Sequence, residues 1–243
     1  MRLRAAGALA LAAALLLGAC SSPAPSGPRL VTTEEAQLLA VLRFKNFDAG
    51  TRSVTSSFVD AGTDLDLTGW FDYASDTGYG ELDALGTPNS LILWNSTAIA
   101  AHDPSGGAVL PPPDADPLLT AAWRTAVLSP RESTLHSLVA VIESLGSDRP
   151  ENPLLLQQGG ALWLRTDVID DTAVTVFAGP TSTDGAASTS TAIDPDASNL
   201  HYWVNKDGLL LRLEVRLGST WVTVDFGDAD GVSIANPFSA AAQ

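Results

Sequence analysis

The stretch that decides the fold runs from Leu200 to Phe226 and reads LHYWVNKDGLLLRLEVRLGSTWVTVDF. From Leu209 to Leu217 every second residue is apolar, which is typical of a strand with one buried face. The segment Asn205-Lys206-Asp207-Gly208 precedes it, and its glycine supplies the positive φ that a tight hairpin needs. A third strand is predicted over Thr220–Phe226. This part of the chain therefore predicts consecutive antiparallel strands.

Further strands are predicted on both sides of the middle of the chain. Leu162–Ile169 and Thr172–Ala178 are expected to form a hairpin around Asp170-Asp171, and the Ser- and Thr-rich residues 180–198 a loop. Towards the N-terminus, alternating apolar residues and short apolar runs predict three more strands. The first covers residues 65–73, the second contains Gly78-Tyr79-Gly80 and reaches Leu85, and the third covers Ser90–Ile99.

Helices are predicted at the start and in the centre of the folded region. Thr32 and Glu35 have the spacing of a capping box, which opens an amphipathic helix over residues 33–48. The Pro- and Gly-rich residues 103–115 are expected to be a loop. Proline at the first helical position predicts further helices at Asp116-Pro117 and at Ser129-Pro130, and a short helical turn is expected within 150–158. The two central helices are expected to reach Ala126 and Leu145 respectively.

Helices grouped between two runs of strands indicate an α+β domain, with one curved antiparallel sheet and helices on one side. The long strands offer more apolar surface than three short amphipathic helices can cover. This mismatch favours a groove or cavity between the sheet and the helices.

Composition excludes several functional classes. The chain has 243 residues, 13 Lys and Arg against 28 Asp and Glu, and 45% hydrophobic residues. It is too apolar to be intrinsically disordered, and too acidic to bind nucleic acid, whose phosphates need clustered basic residues. A single cysteine excludes a disulfide framework and any multi-cysteine metal site.

The N-terminus has the order of a secretory signal: two arginines, an apolar run and small residues, over residues 1–19. The segment Leu17-Gly18-Ala19-Cys20 resembles the bacterial lipobox, which implies diacylglycerol on the Cys20 thiol and cleavage before it. Two or three acyl chains, such as palmitate, anchor a protein firmly. Removal of residues 1–19 leaves 11 basic and 28 acidic residues, a net charge of −17. We therefore expect a signal peptide at 1–19, a lipidated cysteine and flexible tether at 20–31, and a single domain at 32–243, lipid-anchored outside the cytoplasmic membrane.

No catalytic, metal or cofactor site is predicted. His102, His136 and His201 lack metal-ligand spacing, and the acidic turn from Asp225 to Gly231 lacks the final acid of a calcium loop. Nucleophile-elbow, phosphate-loop, zinc-protease and dinucleotide motifs do not occur in the sequence. An enzyme is therefore not expected, and a hydrolase is the weakest alternative.

Several features together resemble one lipoprotein group. They are the lipobox, the tether, the Thr-Glu-Glu-Ala helix, Gly69-Trp70-Phe71-Asp72, Gly78-Tyr79-Gly80, the central helices and the Trp203–Leu209 hairpin. In this combination the chain is similar to the LppX/LprG-type actinobacterial lipoproteins, which are related in fold to the LolA/LolB lipoprotein carriers. The resemblance implies an open half-barrel whose concave face is covered by helices around a hydrophobic cavity that carries lipids or lipidated molecules.

We therefore predict a membrane-anchored carrier or chaperone of the cell envelope, which binds a lipid or lipidated ligand without a cofactor. The predicted cavity lining is Leu67, Phe71, Leu93, Leu119, Trp123, Leu138, Ile142, Val174, Val176, Tyr202, Val204, Leu211, Leu213, Val222 and Val224. The alternative is a non-carrier envelope lipoprotein with a packed core, whose acidic surface meets a basic protein partner in an interaction or assembly role.

Overall fold

The computed structural model describes residues 27–84, 89–103, 123–181, 193–229 and 231–234. These segments contain twelve strands and four α-helices. The strands are β1 (Arg29–Leu30), β2 (Thr51–Asp60), β3 (Thr63–Asp72), β4 (Thr77–Ala84), β5 (Ser90–Trp94), β6 (Ala98–His102), β7 (Arg124–Val127), β8 (Leu162–Ile169), β9 (Thr172–Ala178), β10 (Leu200–Asn205), β11 (Leu210–Leu217) and β12 (Thr220–Asp228). The helices are α1 (Thr33–Ala40), α2 (Leu42–Ala49), α3 (Thr134–Ser144) and α4 (Pro153–Gln158), with a 3₁₀ turn over Pro195–Ala197.

All twelve strands belong to one antiparallel sheet in the order β1-β8-β9-β10-β11-β12-β2-β3-β4-β5-β6-β7. Two runs of consecutive antiparallel strands, β2–β7 and β8–β12, join where Val224 pairs with Ser56. Strands β1 and β7 form the two edges of this described sheet, which does not close into a barrel. The predicted α+β class and open antiparallel sheet are confirmed.

The helices cover one face of the sheet, which we call the helical face. Side chains of α1, α2 and α3 share one buried cluster with alternate residues of the strands, such as Phe71, Val204 and Leu213. Two smaller buried clusters gather the intervening strand residues, such as Leu93 and Val176. Because successive strand residues point to opposite sides, these clusters lie on the opposite face.

Strand β2 was not predicted, although it lies in the middle of the sheet between β12 and β3. Its buried positions are Arg52, Val54, Ser56 and Phe58, and Ser and Thr occupy most of the others. The Ser56 hydroxyl donates to the Thr223 carbonyl at 2.7 Å, so a polar residue is accommodated inside the sheet. A strand so rich in Ser and Thr gives little hydrophobic signal.

The prediction of one strand over Ser90–Ile99 is wrong, because the chain turns between β5 and β6. The Asn95 side chain accepts hydrogen bonds from the backbone N–H groups of Thr97 and Ala98, at 2.9 and 2.8 Å. The Asn95 N–H donates to the Ala98 carbonyl at 2.9 Å. An asparagine that bonds to its own turn in this way reverses the chain within a short apolar stretch.

The predicted central helices need two corrections. Residues 104–122, which include most of the expected loop and first helix, lie outside the described residues, but Arg124–Val127 forms β7 rather than a helix. The second helix begins at Thr134 and not at Pro130. Its N-cap is Ser133, whose hydroxyl accepts from the His136 N–H at 3.1 Å.

The N-terminal helix and the hairpins agree with the sequence more closely. The Thr32–Glu35 capping box is present, although Val41 divides the predicted helix into α1 and α2. The turns at Asp170-Asp171 and at Gly208 adopt positive φ, and α4 occupies the predicted helical turn.

The described structure begins before the predicted domain start at residue 32. Arg29 and Leu30 pair with Trp163 and Leu162, and Val31 is buried in the main core. The Arg29 guanidinium also donates two hydrogen bonds of 2.6 Å to the Glu35 carboxylate. The last residues of the expected tether are therefore part of the domain.

Candidate functional site

A pocket of about 250 Å³ lies between the helices and β10, and its walls are mainly apolar. Its size is close to the lower end of the range for small-molecule sites. The lining residues are Leu39, Leu42, Arg43, Val141, Ser144, Leu145, Glu151, Leu156, Pro180, Leu200 and Tyr202.

Four helices and one strand bring these side chains together. The buried residues of α1 face α4, and the Glu151 N–H donates to the Ala40 carbonyl at 2.9 Å just before α4 begins. Asn152 then caps α4 by accepting from the Leu154 N–H, and Pro153 fits the first helical position. This start directs Leu156 into the pocket, opposite Leu200 and Tyr202 of β10.

Polar groups are concentrated at one pair of half-exposed side chains. The Arg43 guanidinium lies 3.2 Å from the Glu151 carboxylate and donates to the Gly146 carbonyl at 3.1 Å. The Arg43 Nε is buried and has no hydrogen-bond partner within the described residues. The pocket thus offers apolar walls with the paired charges of Arg43 and Glu151 on one side.

Tyr202 supplies a second polar group to the pocket. Burial raises the pKa of its phenol well above the usual value, and the Glu151 carboxylate adds to this effect while Arg43 opposes it. The phenol therefore remains neutral throughout the physiological range. A neutral hydroxyl beside aliphatic walls suits an amphiphilic ligand better than a strongly charged one.

Of the predicted lining residues, Tyr202 is the one that the structure places at this pocket. Eight others lie on the helical face but are packed within the main buried cluster, away from the pocket. They are Leu67, Phe71, Leu138, Ile142, Val204, Leu213, Val222 and Val224.

Five predicted lining residues pack on the face of the sheet opposite the helices. They are Leu93, Trp123, Val174, Val176 and Leu211. Strand register explains the difference, because Phe177 pairs with Tyr202 and takes the helical face in place of its neighbours. A bulge at Trp203/Val204 likewise places Leu210 and Leu213 inward and Leu211 outward. Leu119 lies outside the described residues.

The pocket residues that were not predicted come mostly from helices. Leu39 and Arg43 belong to the apolar stripe of the helix expected over residues 33–48, and Leu145 ends the stripe of the central helix. Their periodicity was visible, but it also fits ordinary core packing. Only the approach of α4 to α1 distinguishes a pocket from a filled core.

The three histidines are separate in the structure. His136 accepts a hydrogen bond from the Ser129 N–H. His201 stacks on Trp221 with ring centroids 4.5 Å apart, and the ring centroids of His102 and Trp123 are 5.3 Å apart. No cluster of three or more His, Cys, Asp or Glu side chains suited to a metal occurs in the described part of the chain. None of the helices in the described ranges is sufficiently long and apolar to cross a membrane.

Three solved structures are similar to this chain. LprF from Mycobacterium bovis has a TM-score of 0.42 and 14% identity, covering 86% of this chain and 99% of its own. The lipoprotein LppX from Mycobacterium tuberculosis has a TM-score of 0.39 and 18% identity, covering 81% and 98%. LppX is also one of the lipoproteins that the sequence resembles.

The third structure is a domain assigned as an outer membrane lipoprotein-sorting protein, from Vibrio parahaemolyticus. Its TM-score is 0.30 at 12% identity, and the match covers 82% of this chain and 92% of the domain. No family model and no curated protein matches the sequence.

Proposed function

We propose that this chain is an envelope lipoprotein that holds an apolar ligand, such as the acyl chain of a lipid, in the pocket between its helices and β10. In this role it acts as a carrier or chaperone, is anchored through acylated Cys20 to the extracytoplasmic face of the cell membrane, and needs neither a catalytic group nor a cofactor. The observation that carries the proposal is a half-open pocket of about 250 Å³ with aliphatic walls. An acyl chain that enters it leaves water, which gains about 25 cal/mol per Å² of apolar surface buried.

The pocket volume limits what can be bound. A water molecule takes about 30 Å³ of liquid and a methylene group is of similar size, so the pocket holds roughly eight methylene groups. One acyl chain fits, and the remainder of a longer chain leaves through the open side. The half-exposed Arg43 can then bind an acceptor group of the ligand in competition with Glu151.

Native mass spectrometry tests the ligand. The full chain, expressed in a bacterial host that processes lipoproteins, is expected to carry a lipid of defined mass. Ser144→Trp places an indole at the pocket wall from a position on the exposed end of α3, and should abolish this adduct. The matched control is Val168→Trp, at a residue that is 63% exposed in the β8–β9 hairpin. Absence of an adduct from the wild type, or its persistence in Ser144→Trp, contradicts the proposal.

The anchor has its own test. Mass analysis of the N-terminal peptide should show acyl groups on Cys20 and loss of residues 1–19, and the protein should sediment with membranes. Cys20→Ser should retain residues 1–19 and lose the acyl groups. An unmodified Cys20 in a processing host contradicts the anchor but leaves ligand binding untouched.

A second candidate function rests on the packing of the core. Most of the residues expected to line a large cavity, such as Ile142, Leu213 and Val224, are fully buried against one another. A packed core favours an interaction or assembly module whose acidic surface binds a basic envelope protein. In that case Ser144→Trp has no effect, and cross-linking in membranes recovers one basic partner. Less of the partner should be recovered at high salt, because the Debye length falls from about 8 Å at 0.15 M ionic strength to about 3 Å at 1 M.

A further inference from the structure

Helix α4 exposes apolar side chains to solvent. Leu154 and Leu155 are 55% and 62% exposed, whereas the adjacent Leu156 is buried and lines the pocket. The helix sequence is PLLLQQ, without a charged residue. Among the α-helices of the described residues, α4 is the one that contains no charged residue, although the chain as a whole is strongly acidic. Adjacent exposed apolar residues of this kind mark surfaces that meet another molecule or a membrane.

Strand β1 places a third exposed leucine at the same end of the domain. Leu30 is 59% exposed and pairs with Leu162 of β8. The Val31 N–H donates to the Ala161 carbonyl, and the Ala161 N–H donates to the Leu156 carbonyl. These bonds join β1 to the end of α4. We call Leu30, Leu154 and Leu155 the α4 patch.

The position of the lipid anchor limits how far the α4 patch can lie from a membrane. Eight residues separate Cys20 from Arg29, where β1 begins. Nine residue steps span at most about 30 Å even when fully extended. An anchor in the bilayer therefore keeps β1, to which the end of α4 is joined, within about 30 Å of the membrane surface.

Charge favours contact through this end of the domain. An acidic body is repelled by anionic lipid head groups, so an uncharged surface approaches them at the lowest cost. Of the charges in β1 and the first turn of α1, Arg29 and Glu35 form an ion pair of 2.6 Å, which leaves the exposed Glu34 as the one net charge there. Exposed leucines on such a surface can enter the boundary between head groups and acyl chains.

We propose that the α4 patch docks on the lipid bilayer and thereby holds the pocket against the membrane. This inference rests on the acylated Cys20 of the proposed function. Leucines 154 and 155 enter the bilayer surface, while Leu156, on the other side of the same helix, forms the pocket wall. A lipid chain could then pass between bilayer and pocket without crossing bulk water.

Photolabelling of the full acylated chain tests the contact. The protein is reconstituted in phosphatidylcholine vesicles that contain a phospholipid with a diazirine in its acyl chain, and adducts are mapped by peptide mass. Adducts are expected on residues 150–158 and 29–31 and not on the β8–β9 hairpin. The double variant Leu154→Gln/Leu155→Gln should lower α4 labelling several-fold. Val168→Gln, a similarly exposed apolar residue in the hairpin, should change nothing.

Each contrary outcome overturns the inference. Equal labelling across the surface, or an acylated chain without adducts on α4, shows that this helix does not meet the bilayer, and the proposed function survives. If a bifunctional cross-linker joins two chains through residues 150–158 while the lipid photolabel gives no adducts there, the patch belongs to a contact with a second copy of the chain instead. A chain without acyl groups on Cys20 overturns the anchor and this inference together. Circular dichroism of the double variant confirms that it is folded.

Discussion

Gly78 and Trp94 lie directly opposite each other in the β4–β5 pair, and the Trp94 indole covers the glycine. A Cβ added at position 78 would overlap the ring of Trp94, which is completely buried and whose centroid lies 6.0 Å from that of the Phe71 ring. Close packing against the indole therefore requires glycine at position 78. Backbone conformation does not require it, because the φ of Gly78 is not positive.

The first prediction follows from this contact. Gly78→Ala should lower the free energy of unfolding by about 1–3 kcal/mol, because the indole must leave its packed position to admit the methyl group. Urea denaturation measures the change. The control is Gly27→Ala, where an added Cβ meets no other atom and no change is expected. Equal stability of the two variants would show that the indole moves freely.

The second prediction concerns Arg52, a buried guanidinium that is 2% exposed. It donates to the carbonyls of Gly227 and Leu210, at 2.9 and 3.2 Å, and to the Asn46 side chain at 3.4 Å. Burial lowers the pKa of Arg52 from its usual value, while nearby Tyr73 and Asp228 oppose this effect. Three neutral acceptors thus stabilise the positive charge of the Arg52 guanidinium, which forms no ion pair with a carboxylate within the described residues.

Arg52→Met keeps much of the side-chain volume but leaves these three acceptors without a donor. We expect a loss of about 2–4 kcal/mol in the free energy of unfolding, since each buried unpaired group costs about 1–3 kcal/mol before relaxation. Arg212→Met removes a half-exposed ion pair with Asp225 and should cost less than about 1 kcal/mol. Equivalent losses in both variants would mean that water satisfies the acceptors around position 52.

The third prediction concerns alkaline pH. Burial raises the pKa of all three tyrosines, Tyr73, Tyr79 and Tyr202, and that of Tyr79 reaches about 12. In the unfolded chain tyrosine ionises near pH 10. The native state therefore holds protons that the unfolded state releases, so this stability is complete below about pH 10 and is lost as pH rises above it.

Absorbance of tyrosinate measures this directly. Between pH 10 and pH 11 the native protein should show almost no tyrosinate, whereas the protein in urea should titrate all three residues near pH 10. The free energy of unfolding should fall over the same interval. Native titration of even one tyrosine near pH 10 would contradict the burial on which the prediction rests.

Features of the fold that depend on neighbouring residues could be predicted from the sequence. The capping box at Thr32–Glu35 and the hairpin turn before Leu209 are set within a few residues, and both are present. Strand β2 could not be recognised, because its Ser and Thr residues are accommodated by partners distant in the chain, such as Thr223. The turn at Asn95 is hidden within an apolar run, although the hydrogen bonds that form it are local.

The residues that line the pocket were much harder to predict from the sequence than the strands and helices of the fold. Which face a strand residue occupies depends on register, and a bulge at Trp203/Val204 was enough to move Leu211 to the side away from the helices. The pocket itself arises where α4 approaches α1 and β10, which are far apart in sequence. Arg43 was expected in the helix stripe, but its meeting with Glu151 has no sequence signal.

The fourth prediction concerns the attachment of β1 to the domain at acidic pH. Two hydrogen bonds from Arg29 lower the pKa of the Glu35 carboxyl, assisted by the Thr32 N–H and opposed by partial burial. A lowered pKa in the native state means that the stabilisation is present above about pH 4.3, the unfolded value, and is lost as pH falls through the native value. Because both side chains remain partly exposed, at 30% and 20%, the gain is expected to be below about 1 kcal/mol.

Arg29→Gln should therefore be less stable than the wild type at pH 7, and the difference should be smaller at pH 3, because Glu35 becomes protonated as the pH falls below about 4.3 and through its lowered native pKa. Urea denaturation at the two pH values measures this double difference. Arg124→Gln removes the much more exposed pair with Asp103 and serves as the control, with no change expected at either pH.

Hydrogen exchange at Val31 should also be faster in Arg29→Gln, because the hydrogen bond from the Val31 N–H to the Ala161 carbonyl lies at the end of the β1–β8 pair, beside this ion pair. A difference in stability of the same size at pH 7 and pH 3 would assign the effect to packing of Arg29 on Trp163, whose ring centroid is 4.6 Å from the guanidinium carbon, rather than to the carboxylate.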